Sequence, residues 1–271
     1  MTAARPVALV TGASSGIGRA TALALVEAGF EVVGTSRKAA GVTPLSGVTF
    51  LDLDVVSDAS VTAVVARVSE RFGRLDVLVN NSGVGAVGAA EERSLEQERR
   101  VFDVNVFGVM RMTKAVLPLM RDQGKGRVIN ISSAFGFIPA PYGAVYAASK
   151  HAIEGYSESV DHEVREHGVR VLLVEPAGTK TGFEASLEQP DTPLQAYAGQ
   201  RKVTADVIAE GIKNGDDPGV VAKAIVAAAT DRTPKLRYTA GRTAGLASML
   251  RRAMPSRVFD KLIRKINRLE G

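Results

Sequence analysis

The 271 residues, 45% of them hydrophobic and 23% charged, are enough for one large core and predict a single domain over 1–271. With no cysteine, the chain can build neither a disulfide framework nor a thiolate metal site, and its three histidines (His151, His162 and His167) leave no metal site expected. The formal net charge is +5 but aromatic residues make up 5%, which argues against a nucleic-acid reader, because base stacking needs rings as well as cations.

In chain order, the N-terminus carries neither the basic region nor the long apolar core of a signal peptide. No later stretch is apolar for long enough to cross a bilayer, so a cytoplasmic protein is expected. Short apolar runs predict strands at 7–10, 31–35, 48–51, 77–79, 128–131, 169–174 and 236–239. Helical periodicity predicts helices near 19–27, 59–72, 96–120 and 146–166. That alternation predicts an α/β fold, a Rossmann-type doubly wound parallel sheet of about seven strands with helices on both faces. Ligands of such sheets bind beyond the carboxyl ends of the strands, where strand order reverses.

The first strand runs directly into Thr11-Gly12-Ala13-Ser14-Ser15-Gly16-Ile17-Gly18 and a helix that Gly29 ends. Glycines let a backbone approach a diphosphate closely, and the free amides of a helix N-terminus face its charge. Gly12, Ser14, Ser15, Gly16, Ile17 and Gly18 are therefore candidate cofactor residues. Further on, Tyr146 and Lys150 stand four apart on a predicted helix, hence on one face, and Ser133 lies thirteen residues before the tyrosine. A free phenol, with a pKa of about 10, exchanges its proton poorly at neutral pH. A fixed cation beside it makes it usable as a general acid or base.

With Leu53-Asp54-Val55, Asn80-Asn81-Ser82-Gly83, Asn105 and the run 176–181, these motifs follow the order and separations of the short-chain dehydrogenase/reductases. The chain resembles that family from Pro6 to about Thr181 by motif and to Tyr238 by layout. Within it, the chain looks similar to NADP-preferring members near the hydroxysteroid and retinol dehydrogenases. The resemblance implies hydride transfer between a nicotinamide and a carbonyl or secondary alcohol. Tyr146 would deliver or remove the proton, and Ser133 would polarise the substrate oxygen. Lys150 would hold the nicotinamide ribose and depress the Tyr146 pKa, and Asn105 would position a water leading from Lys150 to solvent. Spacing to Tyr146 favours Ser133 over Ser132.

The same resemblance implies that Asp54 accepts from the adenine amino group while Val55 offers its amide. Asn81, Ser82 and Gly83 would border the adenosine ribose, and Pro176, Thr179 and Thr181 would hold the carboxamide. Two positions depart from the family pattern: Ser82 replaces a usual alanine, and Ala177 a usual glycine, with Gly178 beside it. At the end of the second strand Ser36 stands where NAD-preferring members carry an acid, and Arg37 and Lys38 follow. A guanidinium grips a 2′-phosphate that an acid would repel. The cofactor expected is NADP(H), with Arg37 as main selector and Ser36 as auxiliary.

Between Ser133 and Tyr146 the segment 134–142 is strongly apolar, which suits a hydrophobic carbonyl or alcohol (a steroid, retinoid or ketone) and suits core packing equally. The irregular segment at about 182–218 matches the family's substrate lid. Much of the excess positive charge follows Thr230, and at about 256–269 it flanks an apolar stripe of Val258, Phe259, Leu262, Ile263, Ile266 and Leu269. That basic amphipathic helix suits packing on the body or a second subunit best; covering the substrate mouth and peripheral contact with an anionic membrane are the alternatives. A homodimer or homotetramer is expected from the resemblance. Two other functions compete: a 3-oxoacyl thioester (carrier-protein) reductase, and a non-catalytic NADP(H)-binding regulator, against which the intact set Asn105, Ser133, Tyr146 and Lys150 argues.

Overall fold

The computed structural model describes residues 5–269. Seven strands form one fully parallel sheet: β1 (Val7–Val10), β2 (Glu31–Ser36), β3 (Val48–Asp52), β4 (Val77–Asn80), β6 (Gly126–Ile131), β7 (Val169–Pro176) and β9 (Arg237–Ala240). Their order is β3-β2-β1-β4-β6-β7-β9, so the direction of strand addition reverses between β1 and β4. Two further strands, β5 (Gly85–Ala86) and β8 (Leu187–Glu188), form a small parallel pair.

The helices are α1 (Gly16–Glu27), α2 (Asp58–Phe72), α3 (Leu95–Phe102), α4 (Gly108–Asp122), α5 (Ala144–Val164), α6 (Ala198–Lys213), α7 (Pro218–Thr230), α8 (Arg242–Ala253) and α9 (Ser256–Ile266). The central strands are apolar throughout because both faces of a parallel sheet are covered. Alternation then sorts their side chains. Ala8, Val10, Val77, Val79, Ile129, Leu172 and Val174 pack with α1 and α7. Val7, Leu9, Leu78, Val128, Val169 and Val171 pack with α2, α4 and α5. Every expected strand is present.

Three differences from the sequence expectation matter for the site. The helix expected at 96–120 is broken by a π-helical turn at Asp103–Phe107, which holds Asn105. Hydrophobic periodicity cannot register a one-residue widening of the spiral, and such turns concentrate at functional positions. The irregular segment contains a regular helix, α6, whose periodicity is weak because Thr204 is its one buried residue. α7 and α8 were not expected; α7 is apolar nearly all round, as suits a helix wedged between α1 and the sheet. Among the described residues, no helix is long and apolar enough to cross a membrane.

Candidate active site

The glycine turn sits where the strand order reverses. Gly12 (φ 65°) and Gly16 (φ 53°) occupy the left-handed region that side chains disfavour. Gly18 is needed for a different reason: a Cβ there would lie 2.2 Å from the Gly12 carbonyl oxygen, so only glycine lets α1 seat on the turn. Backbone bonds tether the turn on both sides, Thr11 N to Val79 O (3.0 Å) and Ala13 N to Thr35 O (2.9 Å). α1 begins at Ser15 without a side-chain cap, so its first amides have no side-chain acceptor; Ser14 and Ser15 are exposed and Ile17 is half-buried. Left-handed glycines beside an uncapped helix N-terminus fit a diphosphate.

Asn81 does something the sequence does not announce. Its side-chain amide donates to the carbonyls of Thr11 (3.0 Å) and Gly12 (3.1 Å). The Thr11 hydroxyl in turn accepts from the amides of Asn81 and Ser82, each at 2.9 Å. Asn81 thus locks the turn with its side chain, while Thr11 holds the amides of Asn81 and Ser82. Ser36 ends β2, half-buried, and the exposed Arg37 and Lys38 make no ion pair or side-chain hydrogen bond among the described residues. Asp54 is exposed, with one oxygen accepting from the Val56 amide at 3.2 Å, and Val55 is buried beside it.

On the other side of the reversal, β6 ends at Ile131, then Ser132 and Ser133 turn into a short 3₁₀ segment; the Ser133 hydroxyl accepts from the Phe135 amide at 3.2 Å. α5 carries Tyr146 and Lys150 one turn apart. The Lys150 ammonium stands 5.8 Å from the centre of the Tyr146 ring and donates to the Ile131 carbonyl at 2.9 Å. Asn105 is buried, and its side chain is fully used. It accepts from Val84 N (2.9 Å) and donates to Val84 O (2.9 Å) and to the Ser149 hydroxyl (3.1 Å). It is a strut between the loop after β4 and α5. Gly83 lies between Asn105 and Lys150; a Cβ there would be 3.3 Å from Asn105 Oδ1 and 3.9 Å from Lys150 Nζ.

Burial pushes the Tyr146 phenol up to about 12, with the facing Ser133 hydroxyl acting against it. It also pushes Lys150 down to about 8, with the Glu154 carboxylate opposing. The Tyr146 shift runs opposite to the depression expected from a neighbouring cation. Desolvation of the phenolate outweighs the ammonium, which is directed to a carbonyl and over the ring rather than at the phenol oxygen.

Pro176 ends β7, and the following turn is zipped to the segment before α7: Asp216 N donates to Gly178 O and Lys180 N to Asp216 O, each at 2.9 Å. A Cβ on Gly178 would lie 2.4 Å from the Gly211 carbonyl, so this glycine supplies the close approach while Ala177 is tolerated. Thr179 is buried with its hydroxyl on the Ala177 carbonyl, and Thr181 lies against Gly16. Together Gly16, Thr181 and the N-terminal end of α7 line an open cleft of about 770 Å³. The structure thus gathers Asn105, Ser133, Tyr146 and Lys150 at one end of α5. Ser36, Arg37 and Asp54 stand apart, at the ends of β2 and β3.

Several contacts around the site are set by the fold. Phe135 and Phe183 flank the Tyr146 ring at 6.3 and 6.1 Å between centroids. A buried ladder, Asn80 to Asn130 (2.8 Å) and Asn130 to Ser157 (2.8 Å), fixes β4, β6 and α5 below the site. Fully buried Glu92 accepts from the amides of Ala89 (2.9 Å) and Leu194 (2.8 Å) and pairs with Arg201, which pins α6 and the segment before it to the body. Burial alone would raise its pKa, but those amides and Arg201 hold it below the usual carboxylate range. The C-terminal helix α9 buries Phe259 and Ile263, and its end reaches α6 through Arg268 to Glu210 (2.7 Å) and Gln200 to the Asn267 carbonyl (3.3 Å). The stripe that holds Phe259 and Ile263 is legible from periodicity; the pairing of Glu92 with Arg201, 109 positions apart, is not.

A family model described as short chain dehydrogenase matches residues 6–192. A 3-ketodihydrosphingosine reductase from Bacteroides thetaiotaomicron is 38% identical over 237 residues, 87% of this chain and 87% of that protein. Retinol dehydrogenase 8 from Bos taurus is 36% identical over 249 residues, 84% of this chain and 79% of that protein. Among solved structures, a short-chain dehydrogenase from Streptomyces avermitilis has a TM-score of 0.84 at 35% identity, with 100% of each chain covered.

Proposed function

Because the chain belongs to the short-chain dehydrogenase family of oxidoreductases, we propose that it transfers a hydride between NADP(H) and the carbonyl or secondary alcohol of a hydrophobic substrate. The observation that carries this reading is the meeting of Ser133, Tyr146 and Lys150 past the strand reversal, across from a left-handed, uncapped glycine turn.

In this reading the turn from Gly12 to Gly18 cradles the diphosphate, and Asp54, Val55, Ser82 and Gly83 border the adenosine. Pro176, Thr179 and Thr181 meet the carboxamide, and Arg37, aided by Ser36, takes the 2′-phosphate. The case for NADP(H) over NAD(H) is that Arg37 and Lys38 are exposed, unpaired cations at the end of β2. Bound there, the cofactor supplies the hydride. Tyr146 gives its proton to the carbonyl oxygen in reduction and takes it back in oxidation. Its high pKa keeps the proton in place until charge develops on that oxygen. Ser133 donates to the same oxygen, and Lys150, over the ring, stabilises the phenolate as it forms. With the Asn105 side chain committed to Val84 and Ser149, its part is to hold that geometry, and any water it positions meets its backbone.

Support for a hydrophobic substrate comes from Phe135, Phe137 and Ile138, which are half-buried around the mouth rather than sealed in the core, and from Phe183 on the lid side. The ketosphingoid relative points the same way. The reading also includes a cytoplasmic location and a homo-oligomer, for which the exposed Leu95 at the start of α3 and Phe107 just before α4 offer apolar surface. The test is oxidation of NADPH and NADH over a panel of steroid, retinoid, long-chain, aromatic and acetoacetyl-thioester carbonyls. Turnover of apolar ketones with NADPH preferred is expected. Preference for the thioester would favour the carrier-protein reductase, and NADPH binding without any turnover would favour a regulator.

A further inference from the structure

Each of the three segments assigned to the reaction has a neighbour in one buried charged cluster. Ser132 precedes Ser133, Glu154 lies one turn after Lys150 on α5, and Glu175 precedes Pro176 at the end of β7. Arg237, the first residue of β9, joins them. It donates from Nη2 to Glu154 Oε2 at 2.7 Å, from Nε to Glu175 Oε1 at 3.0 Å, and from Nη1 to Glu158. Ser132, Glu154 and Glu175 are 2%, 6% and 1% exposed. One guanidinium faces two buried carboxylates and the partly exposed Glu158, and buried charge left incompletely compensated is costly, so stability alone does not account for the arrangement.

A second observation points from this cluster to the reacting groups. Ser132 Oγ and Glu154 Oε1 are both buried without a hydrogen-bond partner among the described residues. Both press on Gly136, in the turn that starts at Ser133: a Cβ there would meet Ser132 Oγ at 2.5 Å and Glu154 Oε1 at 3.0 Å. A small rotation of the serine hydroxyl toward the carboxylate satisfies both atoms at once.

Resting on the reading of the site given above, we propose that Glu154 is a positioning residue for the reaction. Anchored by Arg237, it fixes the Ser132–Ser133 turn through its free oxygen and supplies the negative charge that keeps Lys150 an ammonium.

The charges around it are consistent. Lys150 and Glu158 approach from α5, Ser132 from the end of β6, Glu175 from β7 and Arg237 from β9; Arg252 of α8 acts on Glu175. Burial pushes Glu175 up to about 7, and Glu154 adds to that shift. Burial raises the Glu154 carboxyl as well, with the hydrogen bond from Ser132 and the charge of Arg237 acting against it. An open cleft of about 530 Å³, lined by Glu175, Arg237, Thr239 and Arg252, gives the cluster contact with solvent on the β9 side.

Glu154→Gln keeps the shape and removes the charge. A lysine whose pKa a carboxylate holds up loses its proton at lower pH once that carboxylate is neutral. The Lys150 midpoint, read by 13Cε NMR and assigned with Lys150→Arg, is expected to fall by about one pH unit. The alkaline limb of kcat should move with it. Glu158→Gln, which alters a different partner of Arg237, should leave the midpoint in place. An unmoved Lys150 midpoint in folded Glu154→Gln protein overturns the proposal. That titration needs no substrate, so it decides the matter even if the enzyme assignment fails. Ser132→Ala provides an arm that keeps every charge: a fall in kcat of about tenfold at unchanged NADPH KM is expected, and unchanged kcat overturns the positioning of the serine turn.

Discussion

The two sides of the strand reversal are built differently. Past β1, β2 and β3 the site consists of backbone in left-handed conformations, an uncapped helix end and exposed cations at Arg37 and Lys38. Past β6 and β7, and along α5, it consists of the buried side chains of Ser133, Lys150, Glu154 and Glu175, the last two held by the partly exposed Arg237. A surface that must receive a large anion keeps its donors free. A surface that must move a proton keeps its groups desolvated and fixed, and there the pKa values depart furthest, with Tyr146 up to about 12 and Lys150 down to about 8.

That division can be broken from either side. Tyr146→Phe removes the proton donor and little else, since the ring keeps its contacts with Phe135 and Phe183. Turnover should fall by about 10²–10⁴-fold, with NADPH affinity from fluorescence titration nearly unchanged. Gly18→Ala attacks the other side. Its Cβ would stand 2.2 Å from the Gly12 carbonyl, so α1 must move off the turn. Overpacking of this kind costs about 1–3 kcal/mol, visible as a lower Tm. NADPH affinity should drop by tenfold or more while bound enzyme still reacts. Equal losses of kcat and affinity in both variants would mean that the two sides are not separable.

The same contrast explains what was legible in the sequence. All seven sheet strands and the positions of Gly12, Gly16 and Gly18 could be read, because apolar runs and glycine spacing are local signals. Tyr146 and Lys150 could be paired because they share a helix face, whereas Ser133, in the turn after β6, stands out only through the family resemblance. The π-turn around Asn105 could not, since the partners of that side chain, Val84 and Ser149, lie on other elements. Glu92 and Arg201, 109 positions apart, and Glu154 and Arg237, 83 apart, look like ordinary surface charges in a linear chain. Only the fold shows that they are buried pairs. The direction of the Tyr146 shift is hidden for the same reason: sequence shows the cation, not the desolvation.

Arg37 offers the mildest break and the sharpest one, because nothing in the protein depends on it. It is exposed and unpaired among the described residues, so Arg37→Ala should leave Tm within experimental error. If it takes the 2′-phosphate, the variant loses charge-assisted hydrogen bonds worth about 1.5–3 kcal/mol, or roughly 10–100-fold in NADPH KM. NADH, which lacks that phosphate, should be used as before, and kcat with saturating NADPH should hold because the proton-moving side is untouched. An equal rise in KM for both nucleotides would instead make Arg37 a general electrostatic contact, and would shift the selection of NADP(H) to Ser36 and Lys38.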